Sequence, residues 1–260
     1  MAFFGELNQA WIRAMLILIF LVPFGFLTKK FKMIKAKDLI WFILIAAAGG
    51  LNHAPYFYGF EHLPVGTATL LFYMMLTIGA YILGKLFFEE KMTKVKYFSL
   101  ILAVIGLNII YRFSLTGSQI IPAIATMFSG FLGACAVVFS KKLSSYYTET
   151  QILTVLFSDM VIINLAICFI FKENVPVISF STAWLAEAAY ASTMLIANTA
   201  VIEGFKYLEP SIGSLIGLLE VIFCCYLWSD FFQRYHDYSI NHWQSNNYQF
   251  CRNAEYSKIS

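Results

Sequence analysis

The sequence is poor in charge, and this shortage excludes a typical soluble globular domain. Asp, Glu, Lys and Arg make up only 13% of the 260 residues, whereas about a quarter is typical of soluble domains. Hydrophobic residues make up 60% of the chain, and they come in continuous blocks rather than in the two-residue alternation of barrel strands. Blocks of roughly 17 to 25 apolar residues are long enough to cross the hydrocarbon core of a bilayer as helices. The composition therefore predicts an all-α multi-pass membrane protein.

Motifs for catalysis, cofactors and metals are also missing. The five cysteines have neither paired extracellular spacing nor metal-ligand spacing, so we interpret them as reduced core residues. The glycine-rich stretches lie inside apolar blocks rather than between a strand and a helix, which excludes a dinucleotide or phosphate loop. An intramembrane enzyme would need His, Asp or Cys pairs at helical spacing, and the sequence has none. We therefore expect no enzyme activity, no cofactor and no metal site.

Eight membrane spans are predicted, at residues 11–27, 39–58, 64–87, 97–111, 119–140, 150–171, 181–205 and 211 to about 228. Lysines concentrate in the loops after the first, third and fifth spans, and the intervening loops hold at most one. By the positive-inside rule, these three loops lie in the cytoplasm and the chain starts outside. The loops also explain the net charge of +3, so we expect a lipid bilayer as partner and no nucleic acid.

An internal repeat links the two halves of the chain. "GFEHLPVGTATLL" from Gly59 and "GFKYLEPSIGSLI" from Gly204 align without gaps, at an offset of 145 (204 minus 59). The second copy has a further helix, 119–140, whose first-copy equivalent would precede Met1. Restoring that helix gives repeats of five spans, and an odd number makes the second copy cross the membrane in the opposite sense. The sequence thus predicts two inverted repeats of originally five helices, at 1–112 without the first helix and at 119–223 without the last.

The hydrophobic pattern ends at Cys224, and residues 224–260 form a polar tail. By the repeat offset, this region should match "YILGKLFFEE" from Tyr81. Suppose that the gene is read one base later. The last two bases of the Trp228 codon and the first base of the Ser229 codon must then encode Gly, and the codons that follow can encode two consecutive Phe residues. We hypothesise that the tail is translated out of frame. Alternatives are a genuine soluble tail with a palmitoylated Cys224 and Cys225 pair, or a metal site, although the tail lacks diagnostic ligand spacing.

The segment from Gly59 to Ile110 and its second occurrence from Gly204 resemble the closing half of an EamA-type repeat of the drug/metabolite transporter superfamily. The most specific parts are the Gly-Phe-to-Pro turns and Glu220 in "LLEVIF". The resemblance implies ten helices in two inverted repeats around a central cavity. It also implies a permease or exporter of small metabolites, such as amino acids or related polar solutes, in a bacterial or archaeal inner or plasma membrane. Met75 departs from the family, since many first repeats carry Pro there.

Two alternatives to transport stay open. One is a truncated chain without activity, and the other is a structural or partner-binding membrane protein. The oligomeric state stays open as well.

Polar residues inside the predicted spans are the candidates for a substrate cavity, because such groups replace the water around a solute. They are Asn52, His53, Tyr73, Asn198 and Glu220. His53 and Asn198 are separated by the repeat offset of 145, so we expect them to converge on the interface between the repeats. The alternative for each is a hydrogen bond to a helix backbone, or packing alone for Tyr73.

Two carboxylates near the middle of predicted spans, Asp159 and Glu220, are candidates for ion coupling, with a proton as the ion. An isolated carboxylate there is costly unless it is protonated or paired, and Arg13 is a candidate partner for Asp159. Glu187, Glu203 and Lys85 lie within two turns of span ends, and we interpret them as interfacial.

Overall fold

The computed structural model describes residues 5–111, 117–173, 175–176, 179 and 181–219. In these ranges the chain forms eight α-helices: α1 (Glu6–Leu27), α2 (Leu39–His62), α3 (Val65–Phe88), α4 (Lys94–Tyr111), α5 (Ile120–Ser144), α6 (Glu149–Phe171), α7 (Thr182–Tyr207) and α8 (Pro210–Gly217). Six of them, all except α4 and α8, are long and apolar enough to cross a membrane. The prediction of an all-α multi-pass membrane protein is confirmed.

The helices begin and end close to the predicted positions. Adding the offset of 145 to the bounds of α1 and α2 gives 151–172 and 184–207, which lie within two residues of α6 and α7. The same offset takes the start of α3 to residue 210, where α8 begins. The last predicted span continues beyond residue 219, and the tail at 224–260 lies outside the described residues.

The chain divides into two compact units, Met1–Leu215 and Ile216–Ser260. The first unit contains α1 to α7 and most of α8. Of the second unit, the structure describes only residues 216–219, which continue α8.

Helix α5 packs mainly against α2 and α3, and α6 packs mainly against α1 and α2. Small residues permit close approach at these contacts. A Cβ at Gly130 would overlap the carbonyl oxygen of Phe72, so the backbones of α5 and α3 touch there. Fully buried apolar side chains of α1, α2 and α6, such as Ile17, Ile45 and Phe157, form the core. These helices therefore share one apolar core.

The lysine-bearing loops meet at one end of the molecule. The Nζ of Lys32, after α1, donates to the backbone oxygen of Tyr146, after α5, at 2.9 Å. The Nζ of Lys96, at the start of α4, lies 2.6 Å from the carboxylate of Glu209, after α7. We call this end the inner end and the opposite end the outer end.

Candidate functional site

A cavity of about 490 Å³ lies between α2 and α6 at the outer end. Its lining residues on α2 share one face because they are three or four positions apart. They are Ala54, Phe57, Tyr58 and Glu61, and the opposite wall consists of Ile167, Phe171 and Glu173. The cavity is therefore apolar and aromatic, with a carboxylate from each side.

The two carboxylates have different surroundings. The side chain of Glu61 is 65% exposed, and its nearest titratable partner is the ring of His62 at 3.9 Å. Glu173 accepts a hydrogen bond from the Sγ of Cys168 at 3.5 Å through Oε2, while its Oε1 is buried without a hydrogen-bond partner among the described residues. A Cβ at Gly5 would overlap this carboxylate, so Gly5, just before α1, lies directly against it.

The contact between α2 and α6 continues inward from the cavity. Gly50 faces Asp159 and Ile163, and a Cβ at Gly50 would overlap the Asp159 carboxylate. Within the described part of the chain, the Oδ2 of Asp159 is buried and has no hydrogen-bond partner. Residues 50, 54, 57 and 61 of α2 and residues 159, 163, 167 and 171 of α6 follow one face of each helix. We call this line of residues the α2–α6 seam.

Arg13 does not pair with Asp159, so the predicted partner is wrong. Its Nε lies 2.9 Å from the Glu187 carboxylate, with side chains 12% and 8% exposed, and its guanidinium lies 3.9 Å from the ring centre of Tyr190. Glu187 is therefore buried in an ion pair rather than interfacial. Arg13 lies seven residues after the start of α1 and Glu187 lies five residues after the start of α7. Both helices enter from the outer end, and this similar depth is a signal that the sequence analysis missed.

The predicted cavity residues of α2 and α7 bond to helices rather than line the outer cavity. Asn52 accepts a hydrogen bond from Ser129 of α5. The Nδ1 of His53 lies 3.1 Å from the Gly49 oxygen, one turn back on its own helix. Asn198 likewise donates to the Met194 oxygen at 2.9 Å. The two offset-related residues thus make similar local bonds.

Asn198 lines a separate cavity of about 50 Å³, whose walls come from α5, α6 and α7. Tyr73 stacks edge-on against Phe72, with ring centres 5.4 Å apart, and Phe72 contacts Tyr56 at 5.1 Å. These aromatic rings join α2 to α3 beside the seam. The structure thus does not bring the predicted residues around one cavity in the part it describes, and Glu220 lies outside the described residues.

Charged groups connect four elements at the inner end. Glu90 is 3% exposed and accepts a hydrogen bond from Ser211 of α8 at 2.5 Å. Lys96 of α4 lies 3.4 Å from Glu90 and 2.6 Å from Glu209. We call Glu90, Lys96, Glu209 and Ser211 the inner cluster. These residues come from the α3–α4 and α7–α8 regions, so the cluster joins the two regions at the inner end.

A second inner contact joins the loop after α1 to the start of α6. The side chain of Gln151 accepts from the backbone N–H of Lys32 at 3.0 Å and donates to its oxygen at 2.7 Å. The hydroxyl of Tyr147 donates to Asp38 at 2.8 Å and accepts from the Lys35 N–H. The Lys35 N–H acts to lower the pKa of Tyr147, but burial and the Asp38 carboxylate prevail and raise it above its ordinary value.

The described residues contain no group of three or more His, Cys, Asp or Glu side chains that could hold a metal ion.

The long apolar helices define the chain as an all-α multi-pass membrane protein. Residues 1–112 match the model of the EamA-like transporter family. This match confirms, over residues 1–112, the resemblance found in the sequence. Members of the family are membrane transporters of small solutes and in general are not enzymes. A search of curated proteins finds no match to the chain.

Proposed function

We propose that the chain is a carrier for small metabolites, such as amino acids or related polar solutes, that works by alternating access between two inverted repeats. A cavity of about 360 Å³ on the inner side is lined by α3, α4 and the segment between them, so it does not lie between the proposed repeats. One observation carries this proposal: the ion pairs of the inner cluster join the two proposed repeats at the inner end, while the cavity of about 490 Å³ between α2 and α6 lies at the outer end. A carrier that exposes its site to one side at a time needs this asymmetry.

The inner cluster has the features of a reversible closure. It joins the α3–α4 region of the proposed first repeat, 1–112, to the α7–α8 region of the second, 119–223. Charged partners can exchange their mutual contacts for water, whereas separated apolar surfaces lose stabilisation on exposure. In this proposal, opening the inner cluster accompanies closure of the outer cavity.

The candidate coupling group in the described part is Asp159, and the proposed coupling ion is a proton. Its carboxylate lies in the α2–α6 seam and lacks a hydrogen-bond partner among the described residues, so binding a proton would neutralise a costly charge. His53 and Asn198 are proposed as offset-related polar groups of the two repeats, and Asn52 and Tyr73 as further cavity residues. Glu220 is proposed as a further coupling and cavity residue. The proposed location is the inner or plasma membrane of a bacterial or archaeal cell.

Counterflow in proteoliposomes tests the function. Full-length protein is reconstituted with an unlabelled amino-acid mixture inside, and uptake of each labelled amino acid is followed. Saturable uptake that depends on the internal mixture supports a carrier. Absence of exchange for every solute would favour the alternative of a structural or partner-binding membrane protein.

Cross-linking tests the closure at the inner cluster. A Lys96→Cys and Glu209→Cys double variant is treated with a short bifunctional thiol reagent, and each single variant serves as control. Cross-linking should stop exchange in the double variant alone, and cleaving the reagent should restore it. Unchanged exchange in fully cross-linked protein would show that the inner cluster does not open during transport.

A further inference from the structure

We propose that the α2–α6 seam binds organic cations, meaning amines or quaternary ammonium groups on an aromatic or aliphatic body, an inference that rests on the proposed carrier function. It narrows the solute class from polar metabolites in general to those with net positive charge.

The charge of the outer cavity supports this class. Its described lining residues include the carboxylates of Glu61 and Glu173 and no Lys or Arg. The nearby guanidinium of Arg13 is neutralised by Glu187 at 2.9 Å. Lys172 precedes Glu173 but is exposed and does not line the cavity. Clefts with one sign of charge concentrate ligands of the opposite sign, so this cavity attracts cations and repels anions.

The walls of the cavity suit the body of such a ligand. Phe57, Tyr58 and Phe171 provide ring surfaces, and Ala54 and Ile167 provide aliphatic surface. Aromatic faces carry negative potential and attract ammonium groups. A strongly hydrated inorganic cation gains little from such walls, whereas an organic cation uses both the carboxylates and the apolar surface.

A third carboxylate lies further inward along the same seam. Asp159 is eight residues before Ile167 on α6, about 12 Å at the helical rise per residue. The absence of a side chain at Gly50 leaves room for the Asp159 carboxylate, whose Oδ2 has no hydrogen-bond partner among the described residues. Asp159 does not line the outer cavity, but its carboxylate adds to the negative charge inward of Glu61 and Glu173. A zwitterion would need a free cationic partner for its carboxylate, and the described seam offers none.

Binding of charge-matched probes to the full chain in lipid nanodiscs tests this inference. The cationic probe is 1-methyl-4-phenylpyridinium, and the anionic probe of similar shape is 4-phenylbenzoate. We expect the cation to bind at least about tenfold more tightly. Glu61→Gln should weaken cation binding about two- to fivefold, since Glu61 is mostly exposed. Glu173→Gln should weaken it at least as much, since the Oε1 of Glu173 is buried, and Asp159→Asn should weaken it about tenfold or more.

Glu89→Gln is the matched control, because it removes an exposed carboxylate at the inner end and should leave binding unchanged. Equal binding of the anion, absence of cation binding, or cation binding unaffected by Glu61→Gln and Glu173→Gln would overturn the inference. The variants Glu61→Gln and Glu173→Gln keep the test valid if Asp159→Asn fails to fold. Exchange of zwitterions without cation binding would refute only the cation site, and cation binding without any exchange would refute only the carrier function.

Discussion

Glu90 and Glu209 contact the same lysine at the inner end, so replacing each by glutamine separates the effect of burial from that of charge. Both changes remove one negative charge and keep the side-chain size. Glu90 is 3% exposed, whereas Glu209 is 49% exposed, although Glu209 lies closer to Lys96. We predict that Glu90→Gln destabilises the protein far more than Glu209→Gln.

The magnitude follows from the distances and the exposure. Two unit charges 3.4 Å apart interact by about 5 kcal/mol at an effective dielectric constant of 20. Removing the carboxylate of Glu90 also removes its own desolvation cost, and Lys96 keeps Glu209, so we expect a net loss of about 2 to 3 kcal/mol. The ion pair of Lys96 with the half-exposed Glu209 contributes at most about 1 kcal/mol to the free energy of unfolding. Ser211 can still donate a hydrogen bond to a glutamine at position 90. This bond is therefore kept in Glu90→Gln and does not contribute to the predicted difference in stability.

Thermal stability in detergent, measured as the fraction of monodisperse protein after heating, gives the comparison. At about 2 to 4 °C per kcal/mol for chains of this size, Glu90→Gln should lower the midpoint by roughly 4 to 12 °C. Glu209→Gln should lower it by less than about 4 °C. Equal shifts for the two variants would refute the argument that burial at the inner cluster makes the Glu90 pair strong.

Three further predictions concern other contacts. Gly50→Ala should cost about 1 to 3 kcal/mol because its Cβ overlaps a carboxylate, whereas Gly106→Ala, with open space around it, should be neutral or stabilising in the same thermal assay. Arg13→Gln and Glu187→Gln should each cost about 3 to 5 kcal/mol, and a double variant no worse than either single one would demonstrate the coupling. The raised pKa of Tyr147 means that its protonated form stabilises the fold; this contribution is full below about pH 10 and is lost as pH rises through the folded-state pKa. Stability should therefore fall as pH rises from about 10 towards the folded-state pKa in the parent chain, and less so in Tyr147→Phe; equal slopes would contradict the assignment.

Most of the fold could be predicted from apolar blocks, lysine loops and the repeat offset. The start of α1 shows what hydropathy misses. The predicted span begins at residue 11, whereas α1 begins at Glu6. Asn8 is fully buried in this extra turn and accepts a hydrogen bond from the Trp11 indole at 2.9 Å. Buried polar side chains with partners can thus extend a helix through residues that a hydropathy window excludes.

The candidate site could be predicted only in part, because its walls come from segments far apart in the sequence. The positions of Asn52, His53 and Asn198 inside helices followed from hydropathy, but their hydrogen-bond partners did not. Glu61 and Glu173 lie at helix ends, where charged residues are ordinary, so nothing in the sequence indicated that α2 and α6 meet between them. Their role as a solute site remains a prediction that the binding experiments address.

The two hydrogen bonds between Gln151 and the backbone of Lys32 have a practical consequence for following motion in this protein. They fix the loop after α1 to the start of α6 at two points, and Tyr147 adds a third to the same loop. Fluorophores on these two segments are therefore expected to keep a constant distance from each other. A pair of labels across these segments is a built-in distance standard, against which any change between the inner and outer ends can be calibrated.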